Sequence, residues 1–448
     1  MGSLYLYVGT LKNFLPADHH FPEVQSIHMQ NITTQIDTLE RTRVAITERG
    51  VFDIDLDALE IGETPDPRWI ADVFLSTVQL NEGRHTTTMI DGTRRVLPVT
   101  HGVFRTDMLD VRLRHPEDRT APIEDQILSV VLNSNFRKGS LDLIRPHLDV
   151  FRAHIRHAIR RQLPVEIVLP TAPFKNGNPL STPHEHGGTV DLGEFAHMAQ
   201  VRDLCRSIEA IYQPGARFII LCDGIVYTDI FHTNGLIAAE GYRNGCENIR
   251  DALGLTNTVD IVDMSWLVAC EPRFARVRTA ISHAIIKLCI TDPHIAQSML
   301  SLRRGMLMNL PLREHTYREI ASFVSMPEEA LPPSVFAATQ EAAVRYASFL
   351  LAMNYLRVIA RAYPHAIRAT VHRKPAPQLP FHLVNSHTTV FPYNGVPVVS
   401  ARKWQTSGSV REALRIMRFS ELLTLPNVHA VCVNGASDPF YYLVEDRD

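Results

Sequence analysis

The alternation of short apolar runs with helical stretches constrains this chain more than any other feature. Residues 165–169, 217–221 and 259–263 are largely apolar runs of strand length. The segments between them, 192–212 and 236–252, are long enough for helices, and the first has apolar residues at helical spacing. Parallel strands need a crossover segment between them, and a helix usually supplies it. The alternation therefore predicts an α/β fold with a buried parallel sheet.

The flanking regions complete the predicted architecture. We expect the sheet to be Rossmann-like, doubly wound and mostly parallel, and to be followed by a helical part at 271–362 with a break at 325–333. A mixed C-terminal part then has strands at 367–372, 396–400, 429–433 and 440–444 and a helix near 410–423. Residues 1–115 contain short β-branched runs and an Asp91-Gly92 hairpin signal, which predict a β-rich N-terminal module of unknown role. A proline-bounded linker separates it from a catalytic α/β domain at 123–448.

Composition narrows the functional classes. The chain has 448 residues, of which 45% are hydrophobic and 21% charged, as in ordinary globular proteins. Its net charge of −3 provides no basic field, so we expect neither nucleic acid nor an anionic membrane as a partner. The 6 cysteines are scattered without a CxxC pair, which is typical of reduced thiols in a cytoplasmic protein. Apolar runs are too short to predict a membrane span.

Polar side chains cluster where the predicted strands end, at the edge where open parallel sheets bind ligands. Lys175 follows the first core strand in a loop rich in proline and glycine. The sequence leaves three roles open for this lysine. It can be an exposed loop residue, a cation that binds phosphate or, if desolvated, an amine able to form a Schiff base. Asp191 and Glu194 open the next helix, where they either cap it or accept hydrogen bonds from an ammonium or a sugar. Asp223 and Asp229 follow the central strand, as turn residues or as a general base and a hydroxyl acceptor.

A basic strand and a histidine-containing loop are the other candidates. Arg368 and His372 are expected on one face of a strand, where they would bind phosphate and donate a proton, or would simply form a surface edge. The His184-Glu185-His186 triplet lies in a loop beside two glycines, and the nearby Glu194 and His197 do not complete a known metal spacing. We therefore predict no metal site. The sequence also lacks the motifs of dinucleotide enzymes, P-loop NTPases and α/β-hydrolases.

Several of these segments carry a family resemblance when they are taken in order. The resembling segments are Pro173-Phe174-Lys175 with Asn178-Pro179-Leu180, Asp191-Leu192-Gly193-Glu194, residues 211–216, residues 222–229, Arg345-Tyr346 and residues 367–372. This order resembles the isocyanide (isonitrile) synthases of the pyoverdine/dityrosine biosynthesis family, over about residues 123–400. The chain departs from the family where Arg373 replaces the usual proline and Pro392-Tyr393-Asn394 replaces Pro-Trp-His.

The resemblance implies an enzyme of natural-product biosynthesis that uses no cofactor. Such enzymes condense the α-amine of an amino acid, commonly tyrosine or tryptophan, with C2 of ribulose 5-phosphate and then cleave the sugar chain to leave an isonitrile. The catalytic candidates are Lys175, Asp223, His372 and Glu194. The substrate-binding candidates are Asn178, Asp191, Asp229, Arg368 and Arg373. The role of Lys175 stays open between a Schiff-base nucleophile and a phosphate cation.

The resemblance also sets expectations about partners and alternatives. Isonitrile amino acids are usually processed by an Fe(II)/2-oxoglutarate oxygenase, so we expect such an enzyme downstream, and we expect the chain to form a homodimer. The altered segment at 392–394 would suit a divergent member that makes another amine-derived product, such as an N-formyl compound or an imine. The unassigned module at 1–115 would suit a non-catalytic binding or assembly protein.

Overall fold

A computed structural model describes residues 97–445, apart from residues 103, 172–173, 176, 184–188, 232–235, 373–376 and 434–437 and the side chain of Asp229. The predicted β-rich module lies outside the described residues as far as residue 96. The described residues divide into two units. The larger contains residues 97–263, 307–331 and 363–445, and the smaller, which is helical, contains residues 264–306 and 332–362.

The helices match the predicted positions in the core and differ at some ends. In chain order they are α1 (Ile123–Val131), α2 (Leu148–Arg161), α3 (Leu192–Glu209), α4 (Gly224–Phe231), α5 (Leu236–Ala252), α6 (Met264–Ala269), α7 (Phe274–Thr291), α8 (Pro293–Leu307), α9 (Tyr317–Ser325), α10 (Pro333–Tyr355), α11 (Val358–Ala362), α12 (Ala401–Ser407), α13 (Val410–Ala413) and α14 (Phe419–Leu422). Within the described residues, none of them combines the length and apolar character needed to cross a bilayer.

A parallel sheet forms the core of the larger unit. The strands of the described residues are β1 (Val99–Gly102), β2 (Val165–Thr171), β3 (Ala216–Cys222), β4 (Val259–Asp263), β5 (Ile367–Thr370), β6 (Leu379–Pro380), β7 (Val396–Ser400), β8 (Leu414–Met417), β9 (Val428–Val433) and β10 (Tyr441–Val444). The core sheet has the order β4-β3-β2-β5-β6, and every neighbouring pair is parallel. The predicted α/β class with a parallel sheet is confirmed, and the doubly wound arrangement stays a prediction.

The strand order reverses between β2 and β5, and this reversal positions the site. From β2 the chain builds outward through β3 to β4, and it later returns to the other side of β2 with β5 and β6. Thr171 at the end of β2 is in register with Cys222 at the end of β3, which is in register with Asp263 at the end of β4. The loops that follow these strands therefore leave the sheet at one edge. Ligands of open α/β sheets bind at such a reversal, outside the carboxyl ends of the strands.

A second, mixed sheet forms the C-terminal part of the larger unit, with the order β1-β9-β10-β7-β8. Its core contains Val396, Val398, Leu422 and Tyr442, all of which are buried. Strand β1 pairs in parallel with β9, with Val99 opposite Ala430. The described end of the predicted N-terminal module, residues 97–115, is thus joined to this sheet, and the module itself stays a prediction.

The predicted helix near 410–423 is wrong. The segment contains the short helices α13 and α14 with β8 between them. In β8, Leu414 and Ile416 are buried while Arg415 is exposed, which is the alternation of a strand with one buried face. β8 pairs antiparallel with β7, and this pairing outweighs the helical preference of the segment itself.

The smaller unit is built on the packing of α7 against α10. The rings of Phe274 and Phe349 meet edge to face with their centroids 5.5 Å apart, and the guanidinium of Arg278 donates to the carbonyl of Arg345 at 3.4 Å. After the predicted break at 325–333, the rest of the predicted helical part forms two helices, α10 and α11. The chain turns between them, where Arg357 has a positive φ of 51°.

Candidate active site

The ammonium of Lys175, in the loop after β2, is completely buried. Its Nζ lies 2.8 Å from Asp191 Oδ2, 3.0 Å from Glu194 Oε1 and 2.7 Å from the carbonyl oxygen of Pro392. A protonated lysine has three N–H donors and no acceptor, so these three contacts use all of its hydrogen-bonding capacity. In this conformation Lys175 can bind a phosphate or attack a carbonyl only if one of these bonds opens.

Both carboxylates are fixed by the start of α3. Asp191 is the N-cap residue, and its Oδ1 accepts a hydrogen bond from the backbone N–H of Gly193 at 2.8 Å. Glu194 Oε2 accepts from the backbone N–H of Asp191 at 2.9 Å, which completes a capping box. Each carboxylate thus uses one oxygen for the helix and the other for Lys175. The sequence offered helix capping and ligand binding as alternative roles for these carboxylates. In the structure the same two carboxylates cap the helix and hold Lys175. The phenol of Tyr242 also donates to Glu194 Oε1 at 2.8 Å.

The charges in this cluster do not balance when every group is ionised, since two carboxylates face one ammonium. Burial acts to lower the pKa of Lys175, but Asp191 and Glu194 outweigh it and the pKa is raised. Burial and the neighbouring Glu194 raise the pKa of Asp191 well above its usual range. Burial would also raise the pKa of Glu194, but Lys175 and the hydrogen bonds from Asp191 hold it below its usual value. Asp191 is therefore the group that takes up a proton to remove the excess negative charge.

Asp223 is the second buried acid at this edge, one residue beyond the end of β3. Burial raises its pKa to about 8, and the nearby Asp263 contributes in the same direction. A side-chain hydrogen bond with Tyr227 acts the other way. Its Oδ1 has no hydrogen-bond partner among the described residues. A carboxyl group with such a pKa can donate and accept protons near neutral pH, as general acids and bases must.

Buried ionisable groups extend from Asp223 towards the Lys175 cluster. Burial raises the pKa of Cys222, and Cys246, Asp263 and Asp223 add to the rise. Burial also raises the pKa of Cys246, to which Glu194 contributes. Among the described residues, no hydrogen bond or ion pair joins Asp223 to Lys175 directly. The two groups share one edge of the sheet, where Cys222 interacts with Asp223 and Cys246 interacts with Glu194 and Lys175.

Of the candidates from β5, His372 follows the carboxyl end of the strand, whereas Arg368 lies within it, at a level three residues before the end of β2. Arg368 on β5 is in register with Val168 on β2, and burial lowers the pKa of its guanidinium. Its buried Nε finds no hydrogen-bond acceptor in the described part of the chain. His372 lies two residues beyond the end of β5, and its ring meets that of Phe391 edge to face at 5.5 Å. Arg373 and the side chain of Asp229 lie outside the described residues.

Asn178 is turned towards the protein itself. Its side-chain amide donates to the carbonyls of Leu307 and Leu310, at 2.6 and 2.8 Å, and its Oδ1 accepts from the backbone N–H of Leu180 at 2.9 Å. These bonds fix the loop that carries Lys175. The proposed contact of Asn178 with a substrate stays a prediction.

His197 is a site residue that sequence reasoning missed, because it was weighed only as a metal ligand. It follows Glu194 by one helical turn, and its Nδ1 donates to the carbonyl of Leu383 at 3.1 Å. Burial lowers its pKa to about 4, so the ring is neutral and Nε2 is an acceptor. His197 Nε2 and Thr171 Oγ1 both lack hydrogen-bond partners within the described residues. Both residues line a small cavity together with Glu194 and Tyr393. The feature of the sequence that could have identified His197 as a site residue was its spacing of three residues from Glu194.

Within the described residues, no group of three histidine, cysteine, aspartate or glutamate side chains could hold a metal ion. The triplet at 184–186 lies outside them.

Residues 155–415 match the sequence profile described as "Pyoverdine/dityrosine biosynthesis protein". This chain belongs to that family. The matched segment begins within α2 and ends in β8, and it contains Lys175, Asp191, Glu194 and Asp223. The resemblance inferred from the ordered motifs is confirmed.

Several relatives of the chain are isonitrile synthases. It is 24% identical to the L-tyrosine isonitrile synthase of Pseudomonas aeruginosa over 351 residues, which cover 76% of this chain and 93% of that protein. An L-tryptophan isonitrile synthase of Fischerella ambigua, AmbI2, is 32% identical over 87 residues, 19% of this chain and 24% of that protein. The spore wall maturation protein DIT1 of Saccharomyces cerevisiae is 22% identical over 72% of this chain and 60% of its own length.

The fold has a counterpart of known structure. The PvcA protein of Pseudomonas aeruginosa superposes with a TM-score of 0.54 at 19% identity, over 71% of this chain and 99% of that one. This likeness supports the mixed α/β fold with its parallel sheet. The isocyanide synthases among the relatives support an enzyme of this kind.

Proposed function

We propose that this protein is an isonitrile synthase that condenses the α-amine of an amino acid, with tyrosine and tryptophan as the first candidates, with ribulose 5-phosphate. The observation that carries the proposal is the buried Lys175–Asp191–Glu194 cluster at the strand-order reversal of the sheet. The names of the relatives supply the product class and the two amino acids. Ribulose 5-phosphate is proposed from the family resemblance.

In this proposal Lys175 orders the site rather than attacking the sugar. A nucleophilic amine must be neutral, whereas two carboxylates raise the pKa of Lys175 and keep its ammonium charged. Its charge holds one oxygen of each carboxylate in place. The raised pKa makes Asp191 the more basic of the two carboxylates. Once Asp191 has released the proton that it holds at rest, it can accept one from the substrate ammonium and free the amine that adds to the sugar carbonyl.

The remaining proton transfers are assigned to the neighbouring strand ends. Loss of water from the first adduct needs an acid, and the later cleavage of the sugar chain needs a base. Asp223 has a pKa of about 8, and one of its oxygens has no hydrogen-bond partner among the described residues, so it can serve in either step. Arg368 has a buried Nε–H that finds no acceptor among the described residues, which suits a phosphate oxygen. His372 and Arg373 follow it in the chain and are assigned to the same phosphate end.

A divergent product is the second candidate, and a specific observation favours it. The carbonyl of Pro392 binds Lys175 directly, and Tyr393 lines the cavity beside His197. The segment that departs from the family pattern therefore lies at the site. A change there would alter which amine is accepted or how the sugar carbon is released, as in a synthase of N-formyl compounds or imines.

A purely non-catalytic role is disfavoured by the energetics of Asp223. A buried carboxyl group with an unpartnered oxygen costs stability, and proteins tend to retain such groups at functional sites. The binding or assembly role of residues 1–115 stays a separate prediction.

The cellular setting is also part of the proposal. The 6 cysteines are all free thiols, which suits the reducing cytoplasm. We further propose that the chain works as a homodimer and that an Fe(II)/2-oxoglutarate oxygenase consumes its product.

A substrate screen tests the proposed function. Purified protein is incubated with ribulose 5-phosphate and a pool of the twenty amino acids, and new products are identified by mass spectrometry. We expect one amino acid to be converted to its isonitrile by the wild type and by Asp107→Asn, a control at an exposed acid. Asp223→Asn should lose most of the conversion. An N-formyl or imine product would support the divergent enzyme, and no product from any amino acid would contradict both proposals.

A further inference from the structure

A polar cleft of about 490 Å³ lies in the larger unit, apart from the Lys175 cluster. Its size is that of clefts that hold metabolites. Helix α3 connects the two regions, since Glu194 lies in its first turn and Asp203 lines the cleft nine residues later, about 14 Å along the helix axis. The other residues that bear on its chemistry are Arg112, Arg114, Ser386, Lys403, Arg411 and Glu412.

The cleft carries more positive than negative charge, and part of that charge is already neutralised. Arg411 is buried and forms an ion pair with Asp203, while its Nη2 donates to Gln200 Oε1 at 3.0 Å. Arg112 lies 2.8 Å from a carboxylate oxygen of Asp110 and 3.3 Å from one of Glu412. These two arginines are satisfied by the protein and form the walls of the cleft.

Two further cations have no such partner. Among the described residues, neither the guanidinium of Arg114 nor the ammonium of Lys403 forms a hydrogen bond or an ion pair. Their backbones are nevertheless fixed. The N–H of Arg114 donates to Ser207 Oγ at 2.8 Å, and the N–H of Lys403 donates to Ser400 Oγ at 3.1 Å at the start of α12. The cleft therefore presents two uncompensated positive charges on anchored main chain.

We propose that this cleft binds a small phosphate monoester at a site separate from the catalytic one. A phosphate monoester is a dianion near neutral pH, which matches two uncompensated cations. The planar fork of Arg114 suits two phosphate oxygens, and Lys403 acts as a point charge. Ser386, whose hydroxyl makes no hydrogen bond to a described residue, can donate to the phosphate group. The volume leaves room for a short polyol attached to the phosphate.

Calorimetric titration of the full chain with glycerol 3-phosphate tests this site, with glycerol and succinate as the neutral and dicarboxylate comparisons. We expect glycerol 3-phosphate to bind, more weakly as salt is added, and to bind better than either comparison. The double variant Arg114→Gln/Lys403→Gln should weaken binding at least about tenfold, because it removes the charge-assisted hydrogen bonds of both cations to the phosphate. The control Arg160→Gln/Arg161→Gln removes the same charge from the exposed end of α2 and should leave affinity unchanged.

Hydrogen-exchange mass spectrometry separates this site from the catalytic edge, where a sugar phosphate is also proposed to bind. We expect glycerol 3-phosphate to protect residues 383–388 and 401–412 in the wild type and not in the double variant. Equal affinity of wild type and double variant, absence of binding, or protection confined to the strand ends near Lys175 would overturn the proposal. Succinate binding as tightly as glycerol 3-phosphate would overturn the assignment to phosphate. Isonitrile formation is measured separately, so either proposal can fail alone.

Discussion

At Lys175 the ammonium group lies among two carboxylates and a carbonyl oxygen, with no exposed surface. Burying a charge in this way is tolerated only because its partners are buried with it. Removing the ammonium would leave Asp191 and Glu194 facing each other in a region that water does not reach. The residue thus supports the local fold and sets the protonation state of the site.

Replacing Lys175 by methionine should reduce the free energy of unfolding by about 3–5 kcal/mol, because it breaks a buried ion pair while keeping the side-chain volume. The added change Glu194→Gln should recover part of the loss, because it removes the buried carboxylate that has lost its ammonium partner. Chemical denaturation measures both effects. The matched control is Lys287→Met at an exposed lysine. A Lys175→Met variant as stable as this control would contradict the buried cluster.

His197 should make the protein less stable in mild acid. Its pKa is about 4 in the folded state and about 6.5 when unfolded, so between these values the unfolded chain binds a proton that the folded chain does not. The contribution of His197 to the free energy of unfolding is unchanged above about pH 6.5 and falls by about 3 kcal/mol as the pH drops to 4. His197→Gln should therefore show a flatter loss of stability over this range than the wild type. The exposed His115→Gln serves as the control, and parallel curves for wild type and His197→Gln would refute the assignment.

Asp223 should have the opposite pH dependence. Its folded pKa of about 8 lies above the unfolded value of about 3.9, so the folded state retains a proton that the unfolded chain releases. The contribution of Asp223 to the free energy of unfolding is fully present below about pH 4 and is lost as the pH rises to 8. Asp223→Asn cannot ionise, so its stability relative to wild type should be greater at pH 9 than at pH 5, although activity is lost. If the difference in unfolding free energy is the same at both pH values, the raised pKa is wrong.

At the scale of elements, helices and parallel strands were predictable because their signals are local. Helix α5 and the strands β4 and β7 have the predicted bounds, since each depends on a continuous run of suitable residues. Strand β8 was not predictable, because Leu414 and Ile416 fit a helix or a strand equally well until β7 is placed beside them. The candidate residues Lys175, Asp191 and Glu194 were also recognisable. Their mutual contacts were not, because spacing along a loop does not reveal a distance in space.

Gly395 tests the pairing of β7 with β8. A Cβ atom added at this position would lie 2.5 Å from the backbone carbonyl oxygen of Met417, at the end of β8. Gly395→Ala should therefore force the strands apart and cost about 1–3 kcal/mol in the free energy of unfolding. Gly177→Ala is the control, because its added methyl group would make only ordinary contact with Pro311 at 3.6 Å. Equal stability of the two variants would contradict the strand pairing.

At the scale of the whole molecule, the order of the strands assembles the site. Lys175 and Asp223 follow the carboxyl ends of β2 and β3, and these parallel neighbours place both residues at one edge of the sheet, while Arg368 lies within the adjacent strand β5. The class of fold and the family were both accessible from the sequence, through periodicity and through ordered motifs. The second sheet was not, because β1 and β9 pair across more than three hundred residues, with Val99 opposite Ala430. The β-rich module predicted at 1–115 still rests on its sequence alone.

The fate of one carbon atom tests the central claim most directly. The protein is supplied with the amino acid found in the substrate screen and with ribulose 5-phosphate that carries ¹³C at C2 in one sample and at C1 in another. We predict that ¹³C NMR shows the label from C2, and not from C1, in the isonitrile carbon of the product. An unlabelled isonitrile, or one labelled from C1, would contradict the proposed condensation of the amine with the sugar carbonyl.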